Sequence, residues 1–340
     1  MKNVSTHAAI LSLVIGLAGT QTGYAKAQTQ DNYPRLCEAA TDVGNYHNDF
    51  LKSFVTLQQG DDGWLFRDHD LRLTFGPGRS GMQKLGELQQ ALKAKGTTLV
   101  MVPIPTRALV HPQALGDIDY NLSRSRRAYE RYLKQLRGMG IVVPDLEKLV
   151  ASDVDKPLFF ARDHHWNSRG ARAVARYTAR AIQRTHDYEN LEKQQFLSHY
   201  IDKDNNHGSL QRAAEILCES GDSTPRYPKE SFKIYQTALA GEADLFGDEQ
   251  AADIVLVGTS NSQGKLWYNF SGFLSQYTNL DVSNEAVSGG GYDGSLMQFL
   301  RSDAFKQQPP KYLVWEIPSY YTLGSMAFYE QVLQLLKEES

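Results

Sequence analysis

Asp253-Ile254-Val255-Leu256-Val257 runs directly into Gly258-Thr259-Ser260-Asn261-Ser262. The first five residues read as a strand. Ile254 to Val257 is an unbroken, mostly β-branched apolar run without the alternation of a half-exposed strand, so it is expected to be buried on both faces, as in a parallel sheet. The polar, glycine-led turn after it falls at the carboxyl end of that strand, where parallel α/β folds place their ligands. If a helix opens near Ser262, the Ser260 hydroxyl lies at its N-terminus, beside backbone N–H groups that favour developing negative charge. Gly258 permits a tight approach. On its own the same pentapeptide also reads as an ordinary Ser/Asn helix cap.

Further buried strands are expected at Thr97–Val102, stopped by Pro103 and Pro105, and at Ile141–Val143, Leu280–Val287 and Tyr312–Ile317. Between them lie helical patterns. Gln83 to Lys95 places Leu85, Leu88 and Leu92 on one face and ends at Gly96; Arg124 to Arg137 is a second helix. Residues 31–57 read as a helical lead-in, with Phe50, Phe54 and Leu57 at helical spacing, and Gly63-Trp64-Leu65-Phe66 as a short strand after a turn. Buried strands alternating with helices imply an α/β fold, a mostly parallel sheet covered on both faces. From His186 to about residue 250 the chain turns polar, and 187–206 reads as an inserted cap or surface excursion rather than a second domain.

Two more segments carry candidate chemistry. Asp163-His164-His165-Trp166-Asn167-Ser168 precedes an amphipathic helix whose inner face holds Ala171, Val174, Ala175 and Ile182, with Asn167 or Ser168 as its cap. A serine hydroxyl is a poor nucleophile until a base takes its proton; an imidazole does so best near neutral pH, and a carboxylate fixes the imidazole's tautomer. His165 and Asp163 fit those two roles. A solvated cap or a metal site of Asp163, His164 and His165 are the competing readings, and adjacent ligands rarely converge on one metal, so no metal or cofactor is expected. Gly289-Gly290-Gly291 follows another strand, and a backbone N–H of Gly289 or Gly290 can complete an oxyanion hole with that of Ser260. The competing reading there is a flexible turn.

The start of the chain reads as an address. Lys2, an apolar run from Ala8 to Gly19 and Ala25-Lys26-Ala27 have the layout of a secretory signal peptide over residues 1–27, with an uncleaved anchor as the alternative. Residues 28–340 are then expected to form one domain of the periplasm, with a polar insertion near 186–250. The 340-residue chain holds two cysteines, Cys37 and Cys218, and in an exported protein such a pair is expected to form a disulfide. The net charge is −3 at pH 7, which argues against a nucleic-acid partner.

Gly63-Trp64-Leu65-Phe66, Val102-Pro103-Ile104-Pro105-Thr106, Asp163-His164-His165-Trp166, Gly258-Thr259-Ser260 and Asn284-Glu285-Ala286-Val287-Ser288-Gly289-Gly290-Gly291 together resemble, in order and wording, the alginate O-acetyltransferase family of the AlgX and AlgJ type. The resemblance covers residues 35–320. It implies an SGNH-hydrolase-like three-layer α/β/α sandwich in circularly permuted motif order, the Asp/His pair preceding the serine. It also implies Ser260 as nucleophile, His165 as base, Asp163 as its orienter, and the Cys37–Cys218 disulfide. The implied activity is transfer of acetyl groups to an exopolysaccharide, alginate by default, through an acetyl-serine. Acetyl would be supplied through a membrane-bound O-acyltransferase, with other polysaccharide secretion proteins as further partners. The C-terminal carbohydrate-binding module of the AlgX type is not expected in this chain. Trp166, Trp267 and Tyr268 are candidates to stack on sugar rings, and Arg107, Arg162 and Lys265 to pair with polymer carboxylates. An acetylesterase of the same fold and a non-catalytic polysaccharide-binding or secretion scaffold are the rival readings.

Overall fold

The computed structural model describes residues 33–151, 156–219, 224–240, 252–264 and 267–338. Its strands, in chain order, are β1 (Gln58–Gln59), β2 (Leu65–Phe66), β3 (Thr98–Ile104), β4 (Phe196–Asn206), β5 (Glu230–Leu239), β6 (Ile254–Val257), β7 (Val282–Asn284) and β8 (Tyr312–Pro318). The expected apolar runs meet edge to edge in one sheet ordered β3-β8-β6-β7, and every pairing in it is parallel. All seven residues of β8 and all four of β6 are buried, as strands covered on both faces must be. Helices 79–94 and 326–338 pack on each other, as do helices 168–183 and 270–278. This is the expected α/β architecture.

Three strands differ from their sequence reading. β3 does not stop at Pro103 but runs through it to Ile104, paired with Pro318. The register explains why. Thr98 N–H points to Lys311 O on the β8 side, whereas Met101 N–H points the other way, to Val142 O. Pro103 shares the parity of Met101, so the N–H it lacks would face the side where the neighbouring chain has already left. Ile141–Val143 forms only a bridge, Val142 to Val100, because Pro144 cannot continue the ladder. β7 is a three-residue, half-buried strand at the sheet edge. Beyond it Glu285 N–H and Val287 N–H still donate to Leu256 O and Gly258 O, at 2.8 and 3.2 Å, and keep the following loop against β6.

The lead-in is not one helix. Asp42 and Asn48 accept hydrogen bonds from Gly44 N and Leu51 N, each starting a new short turn, since Asx side chains compete with the helical ladder. These turns carry Tyr46, Leu51, Phe54 and Leu57 into a second apolar core with Leu210, Ala213, Ala214 and Leu217. The latter four lie on the helix Ser209–Cys218, inside the polar stretch. The stretch is therefore only partly surface: β4 and β5 form an exposed antiparallel ribbon, while the helix between them is packed. Cys37 and Cys218 are disulfide-bonded across 181 positions. The proposed leader lies outside the described residues, and no described helix is long and apolar enough to cross a membrane.

Two stability measurements follow from this packing. A disulfide closing so long a loop stabilises by about 2–5 kcal/mol, so Cys37→Ala/Cys218→Ala is expected to lower the melting temperature and reductant to do the same to the wild type; unchanged melting would show the second core to hold by apolar contact alone. The second concerns His111, which is fully buried between Trp64 and Phe159. Its Nε2 accepts the Leu158 N–H at 3.1 Å. Burial, and then the Arg107 charge, push its pKa down to about 3. The folded value lies below the unfolded one, so its contribution is complete above about pH 6.5 and is lost as pH falls toward 3, by up to about 1.4 kcal/mol per pH unit. Urea midpoints are expected to fall below pH 6.5 in the wild type and less steeply in His111→Asn; equal slopes would exclude His111 as the cause.

Candidate functional site

The Asp163–Trp166 segment sits on a tight reversal. Phe160 N donates to His165 O and Asn167 N to Leu158 O, and Asn167 then caps helix 168–183 by accepting from the Arg169 and Gly170 amides. Two charges hold this reversal, Arg107 buried and Glu230 half-buried. Arg107 donates from Nη2 to Phe160 O and Ala161 O, both at 2.8 Å, and from Nη1 to Leu65 O and the Asp70 carboxylate. Glu230, at the start of β5, accepts the Ala161 and Arg162 amides at 2.6 and 2.7 Å.

The Asp163 carboxylate accepts from three donors: Oδ1 from His165 N at 2.8 Å and from His165 Nδ1 at 2.6 Å, and Oδ2 from Ser209 N at 2.9 Å. Burial alone would raise its pKa; the neighbouring His165, followed by His164, outweighs that and holds the carboxyl well below the usual range. An ionised carboxylate only accepts, so His165 Nδ1 carries the proton and Nε2 is left as acceptor. Nε2 lies 2.8 Å from Ser260 Oγ. The imidazole is clasped between the His164 ring, with centroids 3.7 Å apart, and Tyr268, stacked at 5.4 Å. His164 Nδ1 lies 2.7 Å from Ser209 Oγ, and burial, reinforced by His165 and Arg67, keeps it neutral.

Ser260 opens a one-turn helix, Ser260–Gln263, directly after β6, with Thr259 as its cap. Thus β6 delivers the hydroxyl, and the 158–167 reversal delivers the imidazole to it. Gly289, at φ +75°, and Gly290 follow the loop tied to Gly258 by the Val287 amide. Asp163, His164 and His165 offer donor atoms within 4.8 Å of one another. A cation there would compete with the proton between Asp163 and His165.

Several candidate substrate contacts are corrected. Trp166 is fully buried and donates from Nε1 to Asn261 O at 3.0 Å, so it braces the serine turn and cannot stack on a sugar. Arg107 is 1% exposed with its partners all internal; it positions the histidine reversal and does not pair with polymer. Arg162 is likewise buried, against Glu230 and Pro228 O. Tyr268 is buried and spends its face on His165. Trp267 is 52% exposed, its ring edge-on to Phe232. Lys265 lies outside the described residues. Three contributors were missed: Ser209, Glu230 and Glu316. The first two sit in the polar stretch without any local signal. Glu316 had one, as the only charge in an otherwise apolar buried run.

A parallel sheet with a serine turn at the carboxyl end of β6 and an Asp/His reversal closing on it defines an SGNH hydrolase-like α/β domain. The chain belongs to the family described as SGNH hydrolase-like domain, acetyltransferase AlgX, whose profile matches residues 57–319. It is 37% identical over 308 residues to the alginate biosynthesis protein AlgX of Azotobacter vinelandii, covering 88% of this chain and 62% of that protein. Its fold is similar to that of Pseudomonas aeruginosa AlgX, with a TM-score of 0.80 at 34% identity over 88% of this chain and 70% of that one. The O-acetyltransferase domain of Pseudomonas putida AlgJ superposes with a TM-score of 0.66 at 26% identity, over 83% of this chain and 99% of that one.

Proposed function

We propose that this chain is a periplasmic O-acetyltransferase that moves acetyl groups onto hydroxyls of an exopolysaccharide, an alginate-like polyuronate, by way of an acetyl-serine on Ser260. The observation that carries the reading is the continuous hydrogen-bond line from Asp163 through His165 to Ser260 Oγ, in a chain of an acetyltransferase family. In the first half-reaction His165 Nε2 takes the Ser260 proton as Oγ attacks the donor carbonyl. The tetrahedral oxyanion is stabilised by the Ser260 amide and a Gly289 or Gly290 amide, the donor's leaving group takes the proton back from His165, and acetyl-Ser260 remains. In the second, His165 deprotonates a sugar hydroxyl, which attacks the acetyl carbon; the acetyl–Oγ bond breaks and His165 returns the proton to Ser260 Oγ. Asp163 stays ionised throughout and steadies the imidazolium. Acetyl arrives from a membrane-bound O-acyltransferase. No cofactor takes part.

Transfer requires that the sugar hydroxyl outcompete water, so the acceptor must be held. Trp267 is an exposed aromatic next in sequence to the Tyr268 that stacks on His165, and its indole supplies an apolar face for a pyranose. The test is acetylation of de-acetylated uronate oligosaccharides from an activated acetyl ester, read by mass spectrometry. Acetylated sugar is expected from the wild type, and Ser260→Ala is expected to lose at least about a thousandfold in rate. Free acetate without acetylated sugar would make the protein an esterase, and no turnover would leave the scaffold reading. Trp267→Ala is expected to raise KM for the oligosaccharide about tenfold while leaving hydrolysis of the small ester unchanged; an unchanged acceptor KM would remove Trp267 from the acceptor site.

A further inference from the structure

A turn of four residues cannot hold itself in helical form, and the nucleophile sits on such a turn. Its carbonyls are tied from outside: Asn261 O by Trp166 Nε1 at 3.0 Å and Ser262 O by Asn284 Nδ2 at 2.8 Å. Its leading edge rests on Glu316, a fully buried carboxylate in the middle of β8. Glu316 Oε2 accepts from Thr259 N at 2.8 Å, Thr259 Oγ1 at 3.0 Å and Ser262 Oγ at 3.0 Å. The Thr259 hydroxyl itself accepts from Asn261 N and Asn261 Nδ2, both at 3.3 Å, so its one proton is committed to Glu316. Three donor hydrogens on one oxygen call for a group that accepts there and does nothing else.

The requirement for Gly258 has the same origin. A Cβ at that position would lie 2.6 Å from Glu316 Oε2 and 2.9 Å from Glu316 Cβ, so the glycine makes room for the carboxylate below and not for a ligand above. Ser295 closes the other side, its Oγ accepting from Gly258 N at 2.8 Å and donating to Gly258 O at 2.9 Å.

We infer that Glu316 is a positioning residue for the nucleophile: through Thr259 and Ser262 it fixes the 258–262 turn, and so holds Ser260 Oγ 2.8 Å from His165 Nε2. The inference rests on Ser260 being the nucleophile. Glu316 touches neither Ser260 Oγ nor substrate, so its removal acts on the alignment of attack and not on ester binding.

The experiment follows acetylation of Ser260 by p-nitrophenyl acetate, by intact mass and by steady-state kinetics, with Ser260→Ala as blank. Glu316→Met fills the space without an acceptor. It is expected to melt within a few degrees of the wild type while kcat falls on the order of a hundredfold and KM stays within about twofold. Glu316→Gln can keep an oxygen at the Oε2 position and is expected to recover most of that loss. Thr259→Val should fall part of the way, since the Thr259 amide and the Ser262 hydroxyl still reach Glu316, Thr259→Ser should not, and the Met/Val double variant should lose less than the product of the two single losses, because the hydroxyl–carboxylate link is common to both. Wild-type kcat in Glu316→Met or Thr259→Val, a change confined to KM, or losses that multiply would each overturn the inference. A wild type that fails to acetylate Ser260 would instead overturn the nucleophile assignment itself.

Discussion

His165 must satisfy two hydrogen bonds at once, 2.6 Å to Asp163 on its own loop and 2.8 Å to Ser260, 95 positions further along the chain. Everything around the site serves that double constraint. Displacement of either segment by an ångström breaks the line, and neither segment is rigid alone: one is a reversal of a few residues, the other a single helical turn. Both are therefore pinned to the framework by charged groups that are wholly or largely taken out of water. Arg107 with Asp70, and Glu230, clamp the carbonyls and amides of residues 160–162. Glu316 clamps the amide and hydroxyl of Thr259. Burying charge is costly unless every lone pair and N–H finds a partner. Here most do, and the partners are the backbone atoms whose placement decides whether the two halves of the site meet.

This accounts for what was legible in the sequence and what was not. Ile254–Val257, Tyr312–Ile317 and the run beginning at Thr97 were readable because a strand buried on both faces admits only apolar side chains, and Asp163, His165 and Ser260 because few combinations of residue types activate a hydroxyl. Pro103 misled because its cost depends on which way its missing N–H would point, a property of register and not of residue type. Arg107 and Trp166 misled for a related reason. Side chains adjacent to a motif look like ligand contacts, yet the same adjacency is what a brace needs, and only burial separates the two: Arg107 is 1% exposed and Trp166 is fully enclosed. Ser209 and Glu230 were invisible because nothing local distinguishes a serine or glutamate in a polar stretch.

That polar stretch is the part of the chain whose sequence character departs most from its structural place. By composition residues 186–250 read as a polar insertion, with 187–206 as a cap or surface excursion. Yet the stretch sends a helix into the second core and a disulfide to the lead-in, and it holds the Asp163–His165 loop through Ser209 N to Asp163 Oδ2, Ser209 Oγ to His164 Nδ1 and Glu230 to the 161–162 amides. Gly208 shows how tight the seam is: a Cβ there would lie 2.0 Å from Arg162 O. The segment packs its backbone directly on the histidine loop, which a loosely attached cap would not do.

The chemistry at the serine then follows from which protons are free to move. Asp163 is held anionic, His164 is held neutral and its Nδ1 is engaged by Ser209 Oγ, and Tyr268 covers one face of the imidazole from within the protein. One mobile proton remains on the line, the one between Ser260 Oγ and His165 Nε2. Under the proposed mechanism, a site so arranged would activate a hydroxyl without regard to which one is presented: first that of Ser260, then, with the acetyl group in place, whatever hydroxyl next reaches Nε2. The relay by itself does not distinguish a sugar from water. That choice belongs to the surface around it, where the exposed indole of Trp267 lies next to the buried ring that positions His165.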